Sequence, residues 1–254
     1  MYTEDEILIL AGNAAEIMLA NGGETYRVEQ MVEYMCKSAG IKFVEPYATP
    51  TGIFISVNNV DEPPETTIRR VRSRTIDLDK VSRINELSRR IASHEISYQK
   101  AQKELKSIAK EGKTFGFWPT IWGACMISAS SAMFFGGHWI DILPSFIISF
   151  IIQITINYMD IRDIYFFSDF LAGLIGGLVG SAFINLGFGT SLDVLTVSAL
   201  MPLVPGVAIT NGVRDIIKGD LNSGMVRVFA AIWVAVAIAS GVVASFYIVG
   251  GGQF

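Results

Sequence analysis

From Val226 to Val249 the chain reads VRVFAAIWVAVAIASGVVASFYIV, and after Arg227 this run contains no Asp, Glu, Lys or Arg. A helix needs about 20 mostly apolar residues to cross the hydrocarbon of a bilayer, and this stretch supplies them. Four upstream runs share its character: roughly 115–135, 140–159, 166–187 and 192–212. Short polar or Gly-rich dividers separate them: Gly136-Gly137-His138, Asp160-Ile161-Arg162-Asp163, Gly187-Phe188-Gly189-Thr190 and Lys218-Gly219-Asp220. Residues 114–254 are therefore expected to form a membrane all-α bundle of about five transmembrane helices.

Residues 1–113 differ in kind. They hold 16 of the 20 Lys+Arg and 17 of the 24 Asp+Glu, although the whole chain is 51% hydrophobic. That asymmetry implies two solvents for one chain. A net charge of −4 argues against a nucleic-acid partner. Cys36, Cys125, His94 and His138 are isolated and lack metal-ligand spacing, so neither a metal site nor a disulfide framework is expected. The start, Met-Tyr-Thr-Glu-Asp-Glu, has no basic region of the secretory kind. Residues 1–113 are expected in the cytoplasm. With the N-terminus inside, Arg162, Arg214, Lys218 and Arg227 fall in or beside cytoplasmic loops, and the C-terminus emerges outside.

Three features stand out in the membrane half. Gly173, Gly176, Gly177 and Gly180 make two small-xxx-small pairs that let helix backbones approach closely. Met201-Pro202-Leu203-Val204-Pro205-Gly206 interrupts the fourth span. Its prolines remove backbone donors and are expected to free the carbonyls of Ser198 and Met201. Discontinuous helices of this type build substrate sites in transporters; the plain alternative is a proline kink. Gln153, Asn157 and Asp160 share one face of the second span, where a polar stripe faces either the bundle or a watery path. Asn211 and Asp215 are similar candidates at the inner end of span four.

In the first half, Ile7, Leu10, Ala14, Ile17 and Met18 set a helical period over 4–20, closed by Asn21-Gly22-Gly23. A helix over 25–38, strands at 41–47, 52–58 and 66–74, and helices at 79–94 and 97–111 follow. The order ααβββαα describes a small α+β domain. Arg69, Arg70, Arg72 and Arg74 form a basic cluster, read as a solvated strand edge or as a patch for anionic lipid or substrate.

Two groups of residues carry a resemblance. Gly22-Gly23-Glu24-Thr25-Tyr26-Arg27-Val28-Glu29 after Asn21, with Pro50-Thr51-Gly52 after Thr49, resemble the cytoplasmic motifs of the threonine/serine exporter family. Pro202 to Gly206, followed by Asn211-Gly212, Asp215 and Gly219-Asp220, resembles its membrane motif. The resemblance implies export of small metabolites, threonine, serine or small dicarboxylates, across the cell inner membrane. It is similar to the longer subunit of split exporters such as the bacterial succinate exporter. That implies a short membrane partner subunit, a homo-oligomer, or both, and no cofactor.

The reading is a secondary exporter subunit driven by the proton gradient; no phosphate-binding GxxxxGK[ST] loop is present, so a primary pump would need another chain. Its substrate-binding candidates are Gln153, Asn157, Asp160, Ser198, Met201, Pro202, Pro205, Gly206, Asn211 and Asp215, with Asp160 titrating. The rival is a membrane-anchored hydrolase-like enzyme with its site in residues 1–113, although no nucleophile–base–acid set is visible there.

Overall fold

The computed structural model describes residues 2–58, 64–112, 114–160 and 165–250, without the side chains of Asp160, Tyr165 and Phe166. The chain forms two compact units, Met1–Thr114 with Val207–Val228, and Phe115–Gly206 with Phe229–Phe254.

The first unit begins with α1 (Glu4–Ala20) and α2 (Thr25–Ser38). Thr3 caps α1 in a reciprocal box, its hydroxyl accepting from Glu6 N at 3.2 Å while Glu6 Oε2 accepts from Thr3 N at 3.0 Å. Ile7, Leu10, Ala14, Ile17 and Met18 are all buried, as their spacing predicts. Strands β1 (Phe43–Thr49), β2 (Gly52–Asn58) and β3 (Glu65–Arg70) form an antiparallel sheet in that order, with Thr49 opposite Gly52 at the first turn. Ile53, Ile55 and Val57 of β2 point into a core shared with α1, α2, α3 (Leu78–Ala92) and α4 (Tyr98–Lys110). The element order matches the sequence pattern. β3 is shorter than expected: it stops at Arg70, and Arg72 and Arg74 lie in a connector. That connector is held by Thr75 N donating to Ala20 O at 2.8 Å and Asp77 N to Asn21 O at 3.1 Å. Its backbone donors serve the end of α1 instead of a sheet edge.

The second unit contains α5 (Phe117–Phe134), α6 (Trp139–Asp160), α7 (Tyr165–Asn185) and α8 (Leu192–Leu200). A 3-10 turn at Met201–Leu203 follows, then α9 (Gly206–Ile217), which belongs to the first unit from Val207 on, and α10 (Leu221–Val249), which belongs to the first unit up to Val228 and to the second from Phe229. Among the described residues three helices are long and apolar enough to cross a membrane, at Trp139–Met159, Phe167–Asn185 and Leu221–Val249. Leu192–Leu203 with Gly206–Ile217 adds a fourth as one broken span. Length and composition thus give three or four candidate spans where about five were expected. The run at 115–135 does form a helix, α5, but Pro119, Thr120 and Ser128, Ser130 and Ser131 lower its mean hydropathy.

Close packing in this unit rests on glycine. A Cβ at Gly173 would run into the Ile238 carbonyl and one at Gly177 into Ser245, while Gly241 of α10 lies as tightly on Phe170. Gly176 and Gly180 face Leu200 and Leu192. Both glycine pairs are therefore used within this chain and do not offer a face to a partner.

Candidate functional site

In the first unit the two motif segments meet. Gly22 takes φ +91°, which only glycine adopts without strain. A Cβ on Gly23 would lie 2.8 Å from the Met18 carbonyl. This turn sets Glu24 at the N-cap of α2, but the Glu24 side chain does not cap the helix. It is 8% exposed and pairs with two cations: Arg27 Nε at 3.0 Å and Arg214 Nη1 from α9.

Further bonds tie the same turn to α9 and the start of α10. Asn211 Nδ2 donates to Gly22 O at 3.0 Å and Arg227 Nη2 to Gly23 O at 2.8 Å. Lys218 Nζ stands 5.7 Å from the centre of the Tyr26 ring. Ser223 Oγ donates to Ala48 O at 3.4 Å. At the centre lies Asp215, fully buried, with Oδ2 3.1 Å from Arg227 Nε. That approach is an ion pair without hydrogen-bond alignment. Thr25 stands beside the Asp215 carboxylate and favours its charged form, although its hydroxyl, both Asp215 oxygens and Arg227 Nε fall short of full hydrogen-bond geometry. A buried charge left this incompletely bonded is costly, so the cluster depends on its few ion pairs.

Glu29, one turn further along α2, accepts from Ala48 N at 2.7 Å. Burial pushes its carboxyl above the ordinary range, with Asp220 and Asp215 adding to the rise and the Ala48 N–H opposing it. Asp220 is pushed up as well, by burial and then by Asp215. Pro50 and Thr51 form the hairpin turn, where the Thr51 hydroxyl is 3.1 Å from that of Thr49. A Cβ on Gly52 would lie 2.6 Å from the Arg69 carbonyl.

In the second unit the break in the span has a local explanation. Pro202 and Pro205 were expected to leave the Ser198 and Met201 carbonyls free. Instead Met201 N donates to Ser198 O, and Val204 N donates to Met201 O at 3.2 Å. The chain tightens into a 3-10 turn and recaptures both acceptors. The Ser198 hydroxyl is also engaged, 2.9 Å from that of Ser145, in a buried ladder that Ser128 extends by donating to Ser145 O at 2.9 Å. Gln153 is buried, and Asn157 Nδ2 donates to the Gln153 carbonyl at 2.8 Å. The Asp160 side chain lies outside the described residues. No atom approaches a Cβ position on Gly206 within 4 Å.

The ThrE model of threonine/serine exporters matches residues 9–249. The chain belongs to the threonine/serine exporter family. Relatives of this exporter-family chain include "Probable threonine/serine exporter" of Mycobacterium tuberculosis, 23% identical over 94% of this chain and 46% of that protein. "Threonine/serine exporter" of Corynebacterium glutamicum is 22% identical over 93% of this chain and 50% of its own length. "Uncharacterized protein C16A10.01" of Schizosaccharomyces pombe is 22% identical over 89% of this chain and 28% of its own. The chain thus spans about half the length of the curated exporters it matches. No solved structure matches it.

Of the site residues drawn from sequence, Gly22, Gly23, Glu24, Thr25, Tyr26, Arg27, Asn211 and Asp215 come together, with Glu29 beside them. Gln153, Asn157, Ser198, Met201, Pro202, Pro205 and Gly206 belong to the other unit. Arg214 and Arg227 were missed as site residues, because the charge asymmetry across the membrane already accounted for them. Ser223 and Gly224 carried no signal. Asp141 was also missed: it is fully buried and accepts from Thr190 N at 2.7 Å, Thr190 Oγ1 at 2.6 Å and His138 N at 2.7 Å, which makes it a loop staple. Elsewhere in the first unit, burial pushes the Cys36 thiol up to about 12, and His94 Nε2 is 3.0 Å from Ser38 O. Neither is placed to act as a nucleophile or base.

Proposed function

We propose that this chain is a subunit of a secondary exporter that moves small polar metabolites out of the cytoplasm, with threonine and serine as the leading substrates and small dicarboxylates such as succinate as the alternative. One observation carries the reading. In a chain of an exporter family, the Glu24–Arg214 pair and the Arg227 to Gly23 O hydrogen bond tie the α2 turn to α9 and α10, which belong to apolar candidate spans. Motion of those helices then cannot occur without the α2 turn responding.

The reading places residues 1–113 in the cytoplasm beneath the inner membrane and the passage beside the Pro202–Gly206 break. Gln153, Asn157 and Asp160 contribute to it, with Asp160 handling the coupled proton, while the Ser198 and Met201 carbonyls, already bonded by the 3-10 turn, shape the break. Because so few candidate spans hardly close a conduit, a short membrane partner or a second copy completes it.

The test is metabolite efflux from cells carrying the chain with its membrane partner, with and without a proton gradient. Pro205→Ala combined with Gly206→Leu is expected to abolish efflux at normal insertion, and Asp160→Asn to reduce the dependence on the gradient more than substrate binding. Unchanged efflux in the double variant removes the break from the mechanism.

A further inference from the structure

The first unit contains a cavity of about 480 Å³ that none of the motif residues but Asn21 borders. Its wall is made by α1, the connector after β3, α3 and α4. That volume falls in the range of small-molecule sites, roughly 300–1,000 Å³.

The lining is electrically lopsided: Arg74, Lys80 and Lys106 stand against a single carboxylate, Glu16, with Asn13 and Asn21 as neutral polar groups. The lysine at 80 is unusual, since its residue is only 8% exposed. Its ammonium donates to the Glu111 carbonyl at 2.6 Å, and among the described residues no carboxylate lies within ion-pair distance of it, Asp77 and Glu111 acting on it from farther off. An ammonium kept this dry with a neutral acceptor as its partner favours an incoming anion. Arg74 and Lys106 make no ion pair among the described residues. The wall is also preorganised. Thr75 N and Asp77 N pin the connector to the end of α1, and Asp77 Oδ1 caps α3 by accepting from Lys80 N at 3.2 Å. Little ordering cost is left for binding.

We propose that this cavity is a binding site for a small dianionic metabolite of the cytosol, a dicarboxylate or a phosphate. Three cations against one carboxylate leave two positive charges, which a dianion neutralises and a zwitterionic amino acid does not. Arg74 supplies the planar fork suited to an oxyanion, Lys80 the buried charge, and Lys106 a mobile one at the mouth. The site lies in the same unit as the Glu24 cluster.

The experiment is a binding titration on the full chain in detergent at fixed ionic strength, followed by thermal shift and calorimetry. The probes are succinate, inorganic phosphate and L-threonine, with chloride as the ionic control. Saturable binding of succinate or of phosphate is expected, at least 10-fold tighter than threonine; which of the two binds names the source of the dianion. Arg74→Gln, at an exposed position, should weaken binding 10-fold or more, and Arg74→Lys should restore part of it. Lys106→Gln should weaken it less. The proposal is overturned if neither dianion binds above chloride, if threonine binds as tightly, or if Arg74→Gln binds like the parent. Because the readout is binding and not efflux, its failure is distinguishable from failure of the exporter reading.

Discussion

Asp215 has no exposed surface and Arg227, its countercharge, is 13% exposed. Removing one member of such a pair leaves the other charged, buried and unpaired, at a cost of about 3–5 kcal/mol. Asp215→Ala is therefore expected to lower the unfolding midpoint sharply, and Asp215→Ala with Arg227→Met to recover most of that loss. A thermal-unfolding cycle over the four proteins measures the coupling; strict additivity would dissolve the pair as an energetic unit. Glu29 gives a pH-dependent counterpart. Its folded carboxyl titrates above its unfolded value, chiefly through burial. Folding thus favours the protonated form: the stabilising contribution is whole below the ordinary carboxylate range and is lost as pH rises through the raised value. Glu29→Gln retains an acceptor for Ala48 N without the charge. It should raise the melting temperature relative to the parent at pH 8, and the advantage should shrink toward pH 4. An advantage that is constant with pH would place the Glu29 charge in water.

At the scale of elements, α9 and α10 cross where two glycines face each other. A Cβ on Gly224 would lie 2.6 Å from the Gly212 carbonyl and 2.9 Å from Ile216 N. The Ile216 side chain is nearer still, but the two backbone atoms cannot turn aside, so Gly224→Ala has to spread the helices and is expected to cost about 1–3 kcal/mol. Gly123, in α5, has no atom within 4 Å of a Cβ position. Gly123→Ala should be neutral or stabilising by about 0.5–1 kcal/mol, since alanine restricts the unfolded chain. Comparison of the two melting temperatures checks the crossing; equal shifts would mean that the helices do not touch at Gly224. The small α+β fold was legible because its signals are local: an apolar period in α1, glycine at its end, alternation in β2. The end of β3 was not, because Arg72 and Arg74 are as compatible with a strand as Arg69 and Arg70. The proline rule identified which donors are missing at Pro202 and Pro205, but not that the N–H groups of Met201 and Val204 would turn back to the acceptors. The meeting of Glu24 with Arg214 joins residues 190 positions apart, and no periodicity records such a contact. Only the likeness of both segments to one family hinted that they belong together.

For the whole molecule, one constraint follows from the composition of the first unit. Residues 207–228 fold with residues 2–112, so both are expected on the same side of the membrane. The chain from 115 to 206 must then cross an even number of times. α6 and α7 are candidates for two crossings, and α5 and the broken α8–α9 span, whose inner end alone then stands with the first unit, are expected either both to cross or both to fail to. α10 is 29 residues, about 44 Å at 1.5 Å per residue. Its first turns belong to the first unit, and the portion from Phe229 is about 30 Å, enough for one crossing. The two termini are therefore expected on opposite faces, whichever way α5 runs. Charge placement chooses between the two cases. If α5 crosses, the segment carrying Arg162 returns to the side of Arg214, Lys218 and Arg227; if it does not, Arg162 stands alone on the far side, against the positive-inside preference. We expect α5 to cross despite its modest hydropathy, with its buried Ser128 facing α6 and not lipid. Reporters inserted at Gly136–Gly137 and fused after Phe254 should both read as extracytoplasmic, while one at the N-terminus reads as cytoplasmic. A cytoplasmic signal at Gly136 alone would reduce the crossings to three and keep the parity. A cytoplasmic signal after Phe254 would mean that residues 207–228 and residues 2–112 do not share a side, and the Glu24–Arg214 pairing could not stand.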